Sequence, residues 1–238
     1  MTRRKRQNKS KNNWIKIIVF LAVIILLLFE GNDIFYKKNT ETQTTLSKTT
    51  LVNGTFQVHY IDVGQGDATL ITCNDKAMLI DAGENDQGTK IQNYLQKQGI
   101  TKLDYVIGTH PDSDHIGGLD VVIYKFDCGT ILLPDYQKDT NTYDDVINTM
   151  KNKNYSNTLP NVGDTYQLSD ANFTIIAPNS YSYGDTTNNY SIGIILKYGD
   201  DSFLFTGDAE NEAEEDIVAN GIDISADVYQ VGHHGSSS

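Results

Sequence analysis

From residue 56 onward the chain is cut into short apolar runs separated by turns rich in Gly, Asp and Asn. Residues 56–63, 68–72 and 77–81 are dominated by β-branched, aromatic and aliphatic residues. The turns Gly64-Gln65-Gly66-Asp67 and Asn74-Asp75 join them, which predicts an antiparallel meander of three strands. The period then changes. Ile91, Tyr94 and Leu95 fall on one face of a helix over 89–98, and Gly99 stops it. A strand over 103–107 and a helix over 116–124 follow. Next come a strand over 130–133, a helix over 143–151 and a polar loop over 151–161. Strands over 166–168 and 173–177, a long polar loop over 178–189, and a hairpin of 191–198 with 202–206 turned by Gly199-Asp200 complete the middle of the chain. An acidic helix over 210–220, stopped by Gly221, leads to a last strand over 227–231. Strands first, one helix, then strands and helices mixed predict an α+β domain with a two-sheet core and helices outside it.

Ahead of this domain lies an uninterrupted apolar run, residues 17–29, with Trp14 and Ile15 at its edge. It is short against the roughly 17–25 residues of a membrane span. A strongly positive flank precedes it, no small-x-small cleavage site follows Phe29, and no nearby cysteine can carry a lipid. The expectation is an uncleaved transmembrane signal anchor over 14–30, with a basic cytoplasmic tail over 1–13. A flexible spacer rich in Thr, Lys, Gln and Ser over 31–54 then reaches an extracellular domain over 55–238, in a single-pass protein of the cell membrane.

Charge sharpens this division. The net charge of −12 hides seven of the 19 basic residues ahead of the first acid, Glu30, which leaves 12 basic against 31 acidic residues after it, a net of −19. Such a body repels nucleic acid and anionic membrane except where a metal or local lysines reverse the field. Cys73 and Cys128 show no metal-type spacing; one disulfide or two buried thiols both fit.

The candidate chemistry gathers at predicted strand ends. Thr109-His110-Pro111-Asp112-Ser113-Asp114-His115 packs two histidines and two aspartates into six positions directly after the strand over 103–107. Asp81, Asp208 and the pair His233-His234 end three other strands. Imidazole and carboxylate are ligands for divalent ions such as zinc and manganese. Each group alone has a plainer account: a solvated acidic turn, a turn former, a helix cap or a surface histidine. Four strand ends together, holding four of the five histidines, point to a metal centre.

These stretches resemble the metallo-β-lactamase superfamily and, within it, the hydrolase domain of the ComEC competence proteins. The resemblance rests on Asp62-Val63-Gly64-Gln65-Gly66-Asp67-Ala68, Leu79-Ile80-Asp81-Ala82-Gly83, the stretch from Thr109 to Gly118, Asn188-Asn189-Tyr190-Ser191, Leu204-Phe205-Thr206-Gly207-Asp208 and Val231-Gly232-His233-His234-Gly235-Ser236. It implies an αββα sandwich with one or two divalent ions, zinc or manganese, at one edge of the sheets. It also implies His110, Asp112, Asp114, His115, Asp208 and one of His233 and His234 as ligands, with Asp114 and Asp208 catalytic. Asp81 and Asp67 are then supporting residues, and Asn188, Asn189 and Ser191 face substrate. Asp112 stands where the wider superfamily has histidine, and the third-motif histidine has no counterpart, which implies a nitrogen-poor first position that binds its ion weakly, prefers manganese over zinc or is empty. The implied function is hydrolysis of a phosphodiester by metal-activated water, DNA being disfavoured by the acidic body. Hydrolysis of a lactone or lactam, and a non-catalytic surface binding domain with a vestigial metal site, are the alternatives. Relatives continue beyond the His-His-Gly-Ser stretch, so the chain is expected to be a fragment lacking one edge of its second sheet.

Overall fold

The structure, a computed structural model, describes residues 55–236. The expected tail over 1–13, anchor over 14–30 and spacer over 31–54 lie outside the described residues, among which no helix is long and apolar enough to cross a membrane.

In β2 (Thr69–Cys73), β3 (Lys76–Ile80) and β4 (Lys102–Ile107), successive apolar side chains serve two different cores. Leu70, Leu79, Leu103 and Val106 pack with Ile91, Leu95, Leu119, Ile123 and Val146 of the overlying helices. Ile71, Met78, Ile80 and Ile107 pack with Phe173, Ile175, Ile194, Leu196 and Phe205 of a second sheet. Strands covered on both faces read as continuous apolar runs, as residues 77–80 of β3 do, while Asp104 interrupts β4.

The first sheet runs in chain order: β1 (Phe56–Tyr60), β2, β3, β4, β5 (Asp127–Leu132) and β6 (Asn157–Thr158). Its first three strands form the antiparallel meander, and β3 to β6 are parallel. Parallel neighbours need crossovers. These are α1 (Gly88–Lys97), then α2 (Ser113–Ile116) with α3 (Leu119–Lys125), then α4 (Asn141–Asn152), whose first turn is capped by Thr140 accepting from the Tyr143 N–H. The second sheet has the order β11-β10-β9-β8-β7, from β7 (Thr165–Leu168), β8 (Ala171–Ala177), β9 (Gly193–Tyr198), β10 (Asp201–Phe205) and β11 (Val228–Gln230). Only its β10–β11 pair is parallel, and α5 (Asn211–Ala219) makes that crossover. Ala213 and Ile217 of α5 cover Ile176, Ile195 and Leu204 on the outer face of the sheet. The layers are helix, sheet, sheet, helix, the αββα order expected.

Some elements differ from the sequence pattern. The helix expected over 116–124 is two helices, because Gly117 and Gly118 lie against other backbone. A Cβ on Gly117 would meet the Asn85 nitrogen at 2.3 Å, and one on Gly118 the Ala82 carbonyl at 2.4 Å. The loop expected over 151–161 holds the two-residue β6, whose Asn157 side chain bonds both the Leu133 N–H and the Leu133 carbonyl. Cys73 and Cys128 are both buried free thiols.

The consequence for function is directional. The parallel strands β3, β4, β10 and β11 bring their carboxyl ends to one side of the two sheets, where ligand sites of open α/β sheets form.

Candidate metal centre

Each strand hands its next few residues to this edge. After β3, Asp81 takes a left-handed backbone (φ 57°), which aspartate tolerates better than most residues, and turns its carboxylate inward. It is 1% exposed. Its Oδ1 accepts the Thr109 N–H at 2.8 Å, and its Oδ2 accepts both the Thr109 hydroxyl and His115 Nδ1–H at 2.8 Å. Burying a carboxylate is expensive unless its lone pairs are filled, and here three donors fill them. His115 is thereby fixed with its Nε2 pointing away from Asp81.

At that nitrogen the other strand ends arrive. His115 Nε2 lies 3.2 Å from Asp208 Oδ2 and 3.3 Å from His234 Nε2, and His234 Nε2 lies 3.2 Å from the same Asp208 oxygen. Asp114 Oδ2 is 3.4 Å from His234 Nε2 and 3.9 Å from His115 Nε2. Asp67 Oδ1 is 3.6 Å from His234 Nδ1. Ligand atoms of Asp67, His115, Asp208 and His234 all lie within 4.8 Å of one another. His110 completes the ring, its Nε2 4.0 Å from Asp208 Oδ2.

The Thr109 hydroxyl proton goes to the Asp81 carboxylate, the strongest acceptor in reach, so the oxygen can only accept from His110 Nδ1 at 3.1 Å. His110 thus carries a proton on Nδ1, and in the neutral ring its Nε2 is bare. Burial, then the neighbouring His115 charge, holds its pKa well below the ordinary value. His115 behaves oppositely. Burial works against its charge, but Asp81 and Asp208 overcome it and raise its pKa well above 6.5. Burial pushes Asp208 up, and the His115 hydrogen bond and charge bring it below the usual carboxylate value. Burial and the Asp81 charge raise Asp67. Ser191, fully buried, accepts the Asp208 backbone N–H at 3.0 Å and lies 3.3 Å from His110 Nδ1, tying two strand ends together.

Two buried atoms in this ring have no hydrogen-bond partner: His110 Nε2 and Asp208 Oδ1. Buried polar atoms are nearly always satisfied. A lone-pair nitrogen and a carboxylate oxygen left bare together, beside more nitrogens and carboxylates, are what a divalent cation would fill. The donor set of imidazoles and carboxylates suits zinc or manganese.

The structure also sorts the expected residues. His233 and His234 both have left-handed backbones (φ 49° and 53°), and this turn sends their side chains apart. His234 enters the cluster. His233 Nε2 instead lies 3.4 Å from the Asn188 amide, and its Nδ1 3.7 Å from Glu210. Asp112 is not in the cluster either; its Oδ1 accepts from Lys138 Nζ at 2.6 Å. Asn188 donates to Glu210, and Asn189 accepts the Glu210 N–H. Asp67 is held by Gln230 Nε2 at 2.7 Å, and its N–H bonds the Asp114 carbonyl.

Thr109, Gln230, Lys138 and Glu210 are the residues of this neighbourhood that sequence reasoning did not single out. Thr109 had a usable signal, a hydroxyl at the end of a buried strand beside a histidine. The other three depend on contacts distant in sequence.

A family model described as the metallo-beta-lactamase superfamily matches residues 61–238. The chain belongs to the metallo-β-lactamase superfamily. Recombination protein 2 of Haemophilus influenzae is 32% identical to it over 237 residues, 96% of this chain and 26% of that protein. ComE operon protein 3 of Bacillus subtilis is 28% identical over 198 residues, 76% of this chain and 25% of that protein. Competence protein ComA of Neisseria gonorrhoeae is 27% identical over 179 residues, 74% of this chain and 23% of that protein. The chain thus spans about a quarter of the length of these curated relatives. Among solved structures, a metallo-beta-lactamase of Cronobacter sakazakii (a HARLDQ motif mutant) superposes with a TM-score of 0.53 at 14% identity, covering 75% of this chain and 77% of that one. At that identity the likeness to the lactamase concerns the fold. The relatives of this metallo-β-lactamase domain by sequence include competence proteins.

Proposed function

We propose that this metallo-β-lactamase domain is a metal-dependent hydrolase of phosphodiesters, held outside the cell membrane by the segment 14–30. The observation that carries the reading is the ring around Asp208 Oδ2, where His115 Nε2 and His234 Nε2 both approach to 3.2 Å while His110 Nε2 and Asp208 Oδ1 stay without partners. His110, His115, His234, Asp208, Asp114 and Asp67 would hold one or two zinc or manganese ions. Such an ion supplies a hydroxide near neutral pH and a Lewis acid for the substrate oxygen.

The chain's own residues set up that chemistry. Asp81 keeps His115 oriented and its Nδ1 protonated, so that Nε2 faces the centre. Ser191 and Thr109 fix the His110 ring through Nδ1. Asp114, partly exposed beside the ring, would accept on Oδ2 the proton released by the attacking water. Asp208 spans the histidines at the centre. The competence-protein relatives and the basic residues ahead of the apolar run support the placement and the phosphodiester class. The body charge of −19 after residue 29 favours a small phosphodiester over DNA.

The test is hydrolysis by the full chain, supplied with Mn²⁺ or Zn²⁺, of bis-p-nitrophenyl phosphate, DNA and the lactam nitrocefin. Cleavage of bis-p-nitrophenyl phosphate that Asp208→Ala abolishes is the expected result. Cleavage of nitrocefin alone, or metal uptake without any hydrolysis, would overturn the reading; the second outcome describes a binding domain.

A further inference from the structure

A centre built from Asp67, Asp81, Asp114 and Asp208 must hold an anionic substrate, and metal charge is only part of the answer. Phosphate recognition most often uses arginine, yet all three arginines, Arg3, Arg4 and Arg6, lie at the start of the chain, and residues 55–236 contain none. Recognition falls to lysine. The topology puts most lysines of the domain far from the ring. Lys76 and Lys102 open β3 and β4 and pair with Asp104. Lys97, Lys125 and Lys151 lie in the last turns of α1, α3 and α4, which run away from the carboxyl ends of the strands. Lys138 differs. It stands in the loop over 133–140 that follows β5, at the site end of the sheet, and among the described residues it is the lysine that an ion pair joins to the His110–His115 stretch.

Its partner is unusual. Asp112 is the N-cap residue of α2, with extended backbone (φ −81°, ψ 148°), but its side chain makes no capping bond. Aspartate in that position normally accepts a helix N–H. Here the carboxylate turns to Lys138 Nζ at 2.6 Å instead. Both side chains are partly exposed, 31% for Lys138 and 27% for Asp112. An ion pair in contact with water holds weakly and exchanges readily.

We propose that Lys138 recognises the anionic oxygen of the substrate, exchanging the Asp112 carboxylate for a phosphoryl oxygen as substrate enters. Asp112 keeps the ammonium aimed at the site between turnovers rather than ligating metal. The inference rests on the reading of the site as a phosphodiester hydrolase and names the residue that makes it selective for anions.

The experiment uses the full chain and inorganic phosphate as probe. Phosphate binding is measured by calorimetry on the metal-loaded wild type, Lys138→Met and Lys138→Arg, alongside metal content by elemental analysis and KM and kcat on bis-p-nitrophenyl phosphate. Losing one charge-assisted hydrogen bond should weaken phosphate binding and raise KM about tenfold in Lys138→Met, with metal content and kcat little changed. Lys138→Arg should stay within about threefold of wild type and serves as the folded control. Equal phosphate binding in wild type and Lys138→Met overturns the inference. Metal lost together with Lys138 overturns it too, since the lysine would then support the metal through Asp112. Failure of the wild type to cleave any phosphodiester, with phosphate binding still weakened in Lys138→Met, removes the proposed reaction and keeps the anion site.

Discussion

Asp81 touches neither open space nor substrate, yet it is the residue on which the centre turns. Its Oδ2 accepts from His115 and Thr109, and through Thr109 it also decides the tautomer of His110. Partners that orient metal-ligating histidines are typically worth 10–100-fold in metal affinity. Asp81→Asn should therefore weaken Mn²⁺ or Zn²⁺ binding by roughly that factor, measured by competition with a chelator, while the chain still folds; unchanged affinity would remove Asp81 from this role. The two inner histidines also predict a pH dependence. His115 carries its proton above 6.5 in the metal-free chain because Asp81 and Asp208 overcome the effect of burial. A metal must displace that proton, so binding releases it, and apparent affinity climbs with pH until the raised pKa is passed. His110 is neutral already and releases none. Calorimetry in buffers of different ionisation enthalpy should detect the released proton, and affinity independent of pH between about 6 and 8 would contradict the assignment.

At the scale of elements, backbone approach matters as much as side chains. Gly66, in the turn between β1 and β2, has φ 98°, and a Cβ there would sit 1.9 Å from the Asp114 carbonyl. That contact lets the Asp67 N–H bond the same carbonyl and brings the Asp67 carboxylate beside His234. Gly66→Ala should cost about 3 kcal/mol or more from strain and overlap together. Thermal melting should show a drop of roughly 10 °C; a melting temperature within about 2 °C of wild type would mean the turn adapts freely. The strands and helices that such contacts join were legible in the sequence because each buries a regular stripe or a doubly covered run. The break at Gly117-Gly118 was not, since much of the backbone that forbids a side chain there, at Ala82, Asn85 and Gly88, is distant in sequence.

For the whole molecule, the fold and the edge that holds the site could be read from four strand ends finishing in Asp or His. Their division into roles could not. His233 and His234 are indistinguishable in sequence and are separated by two left-handed backbone conformations. Asp112 stands among the candidate ligands in sequence, and its pairing with Lys138, from another crossover, is visible only in the structure. If the ring is a metal centre, it links residues after β1, β3, β4, β10 and β11 across both sheets, and its ion should stabilise the entire domain. A ligand at about 100 times its dissociation constant adds roughly 2.7 kcal/mol. The most direct test is therefore metal content and melting temperature of the full chain and of Asp208→Ala, each with Mn²⁺ or Zn²⁺ and after chelation. The expected result is metal retained by the wild type with a melting temperature raised by about 5–10 °C, and both effects lost in a folded Asp208→Ala chain. Equal metal content in the two chains, or no metal in either, would contradict the central claim.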